Sequence, residues 1–159
     1  MKKLIILLVV LSFGFIACST SDDPDLDDFG TGCTPDGLWY YYEFGFRGPY
    51  EIRIKNTTGH YEKIGSESYA DKAMQKGFIS SGDVVLKNII KIGERNGNNL
   101  FSAEFRTFNL NFSNGDVTGT YFDPVTIEVR TLNTSAEPCN TLFFEDASGN
   151  LVSSKKIAN

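Results

Sequence analysis

The residue types that carry out covalent catalysis are scarce in this sequence and are not arranged for it. A serine or cysteine nucleophile needs a histidine base within hydrogen-bonding reach. The one histidine, His60, lies in the turn-like sequence Thr57-Thr58-Gly59-His60-Tyr61, so we expect an exposed loop residue. The sequence therefore predicts no nucleophile–base pair and no enzymatic activity.

Pairs of carboxylates can cleave glycosidic bonds, but the acidic residues are poorly placed for this chemistry. Glu51, Glu104 and Glu128 alternate with apolar residues, which puts them on the solvent-facing side of predicted strands. Two aspartates belong to the turn-like sequences Asn114-Gly115-Asp116 and Asp123-Pro124, where Asp is favoured for its backbone hydrogen bonds alone. Since the sequence also has no calcium loop and no glycine-rich phosphate loop, we expect no metal and no cofactor.

Aromatic residues are densest between positions 38 and 46. On an extended strand Trp39, Tyr41 and Glu43 share one face. Aromatic rings with hydroxyl groups can stack on sugars and other planar ligands, so these three are candidate ligand-binding residues. In the alternative interpretation, one face of the strand fills the core and the other packs beneath the Cys33 segment or a short helix. The opposite face is also apolar, with Leu38, Tyr40, Tyr42, Phe44 and Phe46.

The first 17 residues have the pattern of an export signal. Lys2 and Lys3 are followed by an apolar run from Leu4 to Ile16, which is too short to span a bilayer permanently. The run ends in Phe15-Ile16-Ala17-Cys18, which resembles the lipobox of bacterial lipoproteins, although Leu is usual where Phe15 stands. The resemblance implies that residues 1–17 are a lipoprotein signal peptide and that Cys18 is acylated and becomes the mature N-terminus. The alternative is an ordinary signal peptide cleaved nearby, with Cys18 left as a free thiol.

Residues 18–32 are predicted to be a lipidated, extended tether. The segment has five aspartates, one proline and little to bury, so burial cannot offset its ordering entropy. Its Ser21-Asp22-Asp23 run is similar to the acidic signal with which some Gram-negative bacteria place lipoproteins on the outer face of the outer membrane. The resemblance implies a cell-surface location. The alternative is the periplasmic face, with the charges acting only as a solvated spacer.

With Cys18 acylated, two cysteines remain, and an exported protein meets conditions that oxidise thiols. A disulfide between Cys33 and Cys139 is therefore expected, closing a loop of about 106 residues. Zinc is the competing use of cysteine. His60 and the lack of any close Cys or His pair leave such a site without enough ligands.

The charge of the chain argues against a nucleic-acid partner. The full chain has a formal net charge of −5, and loss of Lys2 and Lys3 with the signal peptide leaves −7. Five of the 20 acidic residues lie in the tether, so the remainder is nearly neutral. It has no basic stripe of the kind that a phosphate backbone requires.

Residues 33–159 are predicted to form a single all-β domain, because apolar residues recur at every second position. Tyr50, Ile52 and Ile54 alternate with charged residues, whereas Val84 to Ile92 is a denser run compatible with cover on both faces. Eight or nine strands are expected: Leu38–Phe46, Tyr50–Asn56, His60–Ile64, Asp83–Ile92, Asn99–Phe112 with a break, Val117–Phe122, Val125–Leu132, Thr141–Glu145 and Leu151–Lys155.

Turn-forming residues separate these strands, so consecutive strands are expected to pair antiparallel. The turns are predicted at Gly48-Pro49, Asn56 to Gly59, Asn96-Gly97, Asn114-Gly115-Asp116 and Ser148-Gly149-Asn150. The exception is Glu67 to Lys76, where apolar residues have helical spacing between a possible N-cap, Ser66, and Gly77. We therefore predict one short helix near residues 67–76.

Such a meander is expected to close into a small barrel, because closure removes exposed strand edges. The strand order and Gly37-Leu38-Trp39 resemble the lipocalin-type barrels, in which a Gly-x-Trp opens the first strand; here the tryptophan is one place early. The resemblance implies an interior cavity for an apolar or aromatic ligand. A two-sheet β-sandwich is the alternative architecture.

Two functions are compatible with these features. The favoured one is a non-catalytic binding module for a small apolar or glycan ligand, held at the barrel mouth or on the aromatic strand. The alternative is an interaction or assembly subunit that docks a partner protein of the cell envelope. A pocket of at least about 300 Å³ lined by aromatic residues would favour the first, and a solid interior with an exposed apolar patch the second.

Overall fold

Eight strands and one helix make up most of the structure, a computed structural model that describes residues 32–43, 47–66, 68–132 and 137–158. The predictions for the signal peptide, for Cys18 and for residues 18–31 of the tether lie outside the described residues. The elements are β1 (Gly37–Glu43), β2 (Arg47–Lys55), β3 (Thr58–Ile64), α1 (Ser68–Gln75), β4 (Val84–Arg95), β5 (Asn98–Asn111), β6 (Asp116–Arg130), β7 (Thr141–Asp146) and β8 (Leu151–Ala158).

The strands form a closed antiparallel barrel in sequence order. Each strand pairs with the next, and β8 returns to pair with β1, where Tyr41 lies opposite Ser154. The Ser154 hydroxyl donates a hydrogen bond to the Tyr40 carbonyl at 2.6 Å, which adds to the closing seam. The predicted barrel is confirmed, and the alternative sandwich is wrong.

Most of the predicted turns and the helix are confirmed. Asn56 and Asn96 adopt φ angles of 55° and 53°, the left-handed conformation that tight hairpin turns require. Helix α1 ends just before Gly77, whose φ is 74° and whose N–H donates to the Met74 carbonyl at 2.9 Å. The local sequence therefore predicts these chain reversals well.

Two predicted turns are instead parts of strands. Gly48-Pro49 lies within β2, and Asp123-Pro124 lies within β6, so the two strands predicted on either side of Asp123-Pro124 are one. Pro124 is tolerated because β7 pairs with β6 only from Val125 onward, which leaves this part of β6 with a single neighbour. The predicted break in β5 is also absent.

Two further sequence predictions are wrong within β3 and β4. His60 is not the exposed loop residue that its turn-like surroundings indicated: it lies in β3, as the predicted strand His60–Ile64 has it, and is only partly exposed. In β4, Leu86 and Ile89 are buried, but Ile90 and Ile92 are each 57% exposed, so the strand is not covered on both faces. The register shift around Asn88, whose φ is 54°, explains this outcome because it interrupts the alternation between inside and outside.

The interior of the barrel is filled mainly by large apolar side chains. Trp39, Tyr50, Tyr61 and Phe101 are among the largest of those that are fully buried. The Trp39 Nε1–H donates to the Pro35 carbonyl at 2.7 Å, which satisfies its polar atom in the core.

The predicted disulfide is present. Cys33 and Cys139, whose Cα atoms are 5.3 Å apart, join the segment before β1 to the connection between β6 and β7. The Asn99 amide also donates to the Cys33 carbonyl at 2.9 Å. The entry segment is therefore held both covalently and by hydrogen bonding.

Helix α1 lies over one end of the barrel. It contacts both β2 and β6, which are on opposite sides of the eight-stranded barrel, so it cannot lie along the outer wall alone. Lys72 donates to the Gly115 carbonyl at 2.8 Å, and Lys76 donates to the Val117 carbonyl at 2.9 Å and pairs with Asp116. These contacts fasten the helix to the start of β6. In the part of the chain that the structure describes, α1 makes no comparable contact with β7 or β8.

Candidate ligand-binding cleft

A cleft of about 350 Å³ opens at the end of the barrel where β7 ends and β8 begins. Five strands contribute to it: β1, β5, β6, β7 and β8. Its lining residues are Tyr41, Phe105, Thr107, Asp123, Val125, Phe144, Asp146, Asn150, Leu151 and Val152.

Three aromatic rings form the floor of the cleft. Tyr41, Phe105 and Phe144 come from three different strands, and each is no more than 4% exposed. The Tyr41 ring centroid lies 5.1 Å from those of Phe105 and Phe144, which are 5.7 Å from each other. The rings are tilted or edge-to-face, the geometry that aromatic quadrupoles prefer. The floor is therefore a packed cluster that belongs to the barrel core.

Two carboxylates lie on the rim of the cleft. Asp146 accepts hydrogen bonds from the Asn150 side-chain amide at 2.8 Å and from the N–H groups of Asn150 and Ser148 at 2.9 and 2.8 Å. These bonds, the one from the Asn150 side chain most of all, hold the pKa of Asp146 below its ordinary value. Asp123 lies opposite Phe105 in the β5–β6 register, and its carboxylate forms no hydrogen bond or ion pair with any part of the chain that the structure describes.

The candidate residues of the aromatic strand lie in different surroundings. Trp39 is fully buried in the barrel, as in the core-filling interpretation of this strand, and Tyr41 lies on the floor of the cleft. The Glu43 side chain is outside the described part of the chain. Tyr40, on the opposite face, is 42% exposed on the outer wall.

Sequence reasoning missed most of the cleft. The alternation in β5 indicated that Phe105 faces inward, but it gave no sign that Phe144 of β7 would meet it. Asp123 was not recognised as a cleft residue because the sequence analysis placed it in a turn. The available signal was its spacing, because Asp123 precedes Val125, Ile127 and Val129 by even numbers of residues on one strand.

A second depression, of about 600 Å³, runs along the outer wall of β2 and β3. Among its lining groups, the Arg53 guanidinium pairs with Glu62 at 3.3 Å, and the His60 Nδ1 lies 3.0 Å from the Gly82 carbonyl. Its described lining has no Phe, Tyr or Trp and consists of polar and charged side chains. The barrel-mouth cleft, with its buried aromatic floor, is the better candidate site.

Side chains of the metal-ligating types do not cluster among the residues that the structure describes. These residues include no group of three or more His, Cys, Asp or Glu side chains that could hold a metal ion. Glu128 was expected on a wet strand face, but it is only 3% exposed. Arg130 binds both of its carboxylate oxygens, at 2.6 and 2.7 Å, and holds the pKa of Glu128 below its ordinary value.

Comparisons with protein-family models, curated proteins and solved structures give no significant match for the chain. Among the described residues, no helix has both the length and the apolar character needed to cross a membrane.

Proposed function

We propose that this protein is a lipid-anchored protein of the bacterial outer membrane, exposed at the cell surface, that binds a small apolar or glycan ligand at its barrel mouth without chemically changing it. The observation that carries the binding proposal is the cleft with three aromatic rings at its floor. The anchor and the location rest on the sequence, through the lipobox-like Cys18 and the acidic run that follows it.

The size and composition of the cleft support ligand binding. Its volume of about 350 Å³ lies at the lower end of the range of about 300 to 1,000 Å³ that is usual for small-molecule sites. The rings of Tyr41, Phe105 and Phe144 offer apolar surface, and Thr107 and Asn150 add polar groups that can orient a ligand. A lipid tether would hold such a site close to the membrane while leaving its mouth open to solvent.

A matched pair of substitutions on β8 tests whether the cleft binds ligands. Val152→Phe places extra volume in the cleft, whereas Ile157→Phe makes a similar apolar replacement at an exposed position outside it. The probes are indole and phenyl β-glucoside, followed through backbone amide shifts by NMR. We expect shifts at Phe105, Phe144 and Val152 in the wild type and in Ile157→Phe, and their loss in Val152→Phe. If neither probe shifts these amides, or if Val152→Phe has no effect, the cleft is not the binding site.

The anchor is tested by Cys18→Ser. Acyl chains contribute about 0.8 kcal/mol per buried methylene, so several chains on one cysteine make membrane attachment effectively permanent. We expect the wild type to fractionate with the outer membrane, to carry acyl mass on Cys18 and to be shaved from intact cells by added protease. The variant should be released. A mature N-terminus other than Cys18, or an unacylated one, contradicts the proposal.

An assembly subunit remains a second candidate function because β4 exposes apolar side chains on the outer wall. Ile90 and Ile92 are each 57% exposed and lie on one strand two residues apart. If this surface docks an envelope protein, Ile90→Asp should abolish a cross-link to that protein in intact cells, and Lys91→Asp should reduce it less. A cross-linking pattern identical in wild type and Ile90→Asp contradicts this function.

A further inference from the structure

The charged residues that line the cleft are all acidic. Two of its lining residues, Asp123 and Asp146, are acidic, and none of its described lining residues is Lys, Arg or His. The charge at the mouth is therefore negative, and the Coulomb interaction disfavours an anionic ligand and favours a cationic one.

The two carboxylates have different roles. Asp146 is engaged by its own turn, through the N–H groups of Ser148 and Asn150 and the Asn150 side chain. The Asp123 carboxylate has no hydrogen-bonding or ion-pairing partner in the described part of the chain, although the residue is only partly exposed. A partly desolvated carboxylate without a partner is unfavourable, and a bound cation would offset that cost.

The aromatic floor, like the carboxylate, favours a positively charged ligand. The faces of aromatic rings are negative, so Tyr41, Phe105 and Phe144 attract a cation that approaches them. Asp123 is the register partner of Phe105, and therefore lies beside this floor and not at a distance from it. A carboxylate next to several rings is the combination that recognises ammonium groups whose substituents are apolar.

We infer that the cleft binds small organic cations, with the ammonium group beside the Asp123 carboxylate and its apolar substituents against the Tyr41, Phe105 and Phe144 rings. This inference rests on the proposed function, because it names the ligand class of the same cleft. It narrows the apolar or glycan ligand to one that carries a positive charge and an apolar surface. Val125 and Val152 complete the apolar walls that such substituents would contact.

Three soluble probes of nearly equal shape separate charge from size. Choline carries a trimethylammonium group, 3,3-dimethylbutan-1-ol replaces that group by a neutral tert-butyl group, and 3,3-dimethylbutanoate carries a negative charge beside the tert-butyl group. Affinities are measured by NMR titration of the purified protein at low and at high salt. We expect choline to bind about tenfold more tightly than the alcohol, and 3,3-dimethylbutanoate to bind more weakly than either. Added salt should lower the affinity for choline and leave the affinity for the alcohol unchanged.

Asp123→Asn supplies the decisive variant. It should lower choline affinity about tenfold with little change for the alcohol. Glu94→Gln removes the same charge at the opposite end of the barrel, near the β4–β5 turn, and should change neither affinity. If Asp123→Asn does not fold, the salt dependence of the wild type still decides the result.

The outcomes distinguish this inference from the proposed function. Equal affinity for the three probes, all abolished by Val152→Phe, would overturn cation selectivity and support the cleft as a ligand site. Preference for choline that Asp123→Asn leaves unchanged would also overturn the inference. Failure of all three probes, together with indole and phenyl β-glucoside, to shift the cleft amides would overturn both.

Discussion

Glu128 illustrates how a charged side chain is buried on the outer wall of a barrel. Arg130 binds both carboxylate oxygens, the Asn98 amide donates to one of them at 3.1 Å, and the Arg95 guanidinium lies 3.7 Å away. Arg130 in turn lies over the Phe143 ring, 4.3 Å from its centroid. The charge is therefore fully compensated within the protein.

We predict that Glu128→Gln lowers the free energy of unfolding by about 1 to 3 kcal/mol, because hydrogen bonds to charged groups contribute about that much and Arg130 would lose its charged partner. Urea denaturation measures the change. Glu62→Gln is the control: the Arg53–Glu62 pair is about half exposed, so its loss should change stability by less than about 1 kcal/mol. Equal effects of the two substitutions would contradict the role assigned to Glu128.

The Glu128 carboxylate should also make the stability of the protein depend on pH. Because Arg130 lowers the pKa of Glu128 in the folded protein, the stability it contributes is fully present above the ordinary, unfolded-state pKa. It is lost as the pH falls through the lowered folded-state pKa. The difference in unfolding free energy between wild type and Glu128→Gln should therefore shrink as the pH falls from 7 to below about 4. A difference that stays constant over this range would contradict the assignment.

At the residue scale, the sequence predicted which strand face a side chain occupies better than it predicted which other side chains that residue contacts. The period of two in β1 placed Trp39 and Tyr41 on one face, and both do point to the interior. The sequence did not predict what this face contacts, because Phe105 and Phe144, the residues that pack against Tyr41, come from strands far along the chain. Asp123 was not recognised because an Asp-Pro dipeptide is compatible both with a turn and with a stretch of strand that is paired on one side only.

At the scale of elements, the contact between α1 and the β5–β6 hairpin depends on a glycine. Gly115 has a φ of 68°, and a Cβ at this position would lie 3.3 Å from the Tyr69 ring and 3.5 Å from the Lys72 Nζ. Both residues belong to α1, and Lys72 donates to the Gly115 carbonyl. The hairpin tip and the helix therefore approach each other where no side chain intervenes.

We predict that Gly115→Ala costs more stability than Gly97→Ala and loosens α1. Gly97 has a similar φ of 78° but nothing within 4 Å of the added carbon. Both variants incur the left-handed strain of about 1 kcal/mol, and only Gly115→Ala also brings the added carbon within 3.3 Å of the Tyr69 ring, which must then shift. Urea denaturation measures the difference, and faster hydrogen exchange at α1 amides should appear only in Gly115→Ala. Identical exchange in the two variants would show that this contact does not hold the helix.

Elements were predictable where local chemistry alone decides them. The Asn96-Gly97 turn and the helix that ends before Gly77 follow from backbone preferences of a few residues. The length of β6 does not, because its first half also depends on the helix contacts at Gly115 and Val117 and on Lys87 of β4, which lies over the Phe122 ring. The helix and β4 are distant from β6 in sequence, so a local pattern divides one long strand into two.

At the scale of the whole molecule, the disulfide ties the two ends of the barrel sequence together. Cys33 precedes β1 and Cys139 precedes β7, with 106 residues between them. The closing pair β1–β8 depends on bringing these distant segments together. The bond therefore closes a long loop, whose closure costs the unlinked chain more conformational entropy than a hairpin does.

We predict that the double substitution Cys33→Ser with Cys139→Ser lowers the free energy of unfolding by about 2 to 5 kcal/mol, because the open chain regains entropy. Thermal unfolding with and without reductant measures this effect. Reductant should lower the Tm of the wild type to near that of the double variant, and should not change the variant itself. A wild-type Tm unaffected by full reduction would contradict this account.

Closure of the barrel followed from the sequence because short alternating strands with tight turns have few other ways to cover their edges. The cleft did not follow, because it exists only where α1 leaves part of the barrel end uncovered, and that depends on how the helix contacts β2 and β6. The overall architecture was thus more predictable than the shape of its opening.

Native mass spectrometry of the protein released gently from its own membrane tests the central claim, ligand capture at the barrel mouth, most directly. We expect a small-molecule adduct of defined mass on the wild type and on Ile157→Phe, and its absence from a folded Val152→Phe protein. An adduct retained by Val152→Phe, or a wild-type protein that carries none and acquires none from a membrane extract, would contradict the claim.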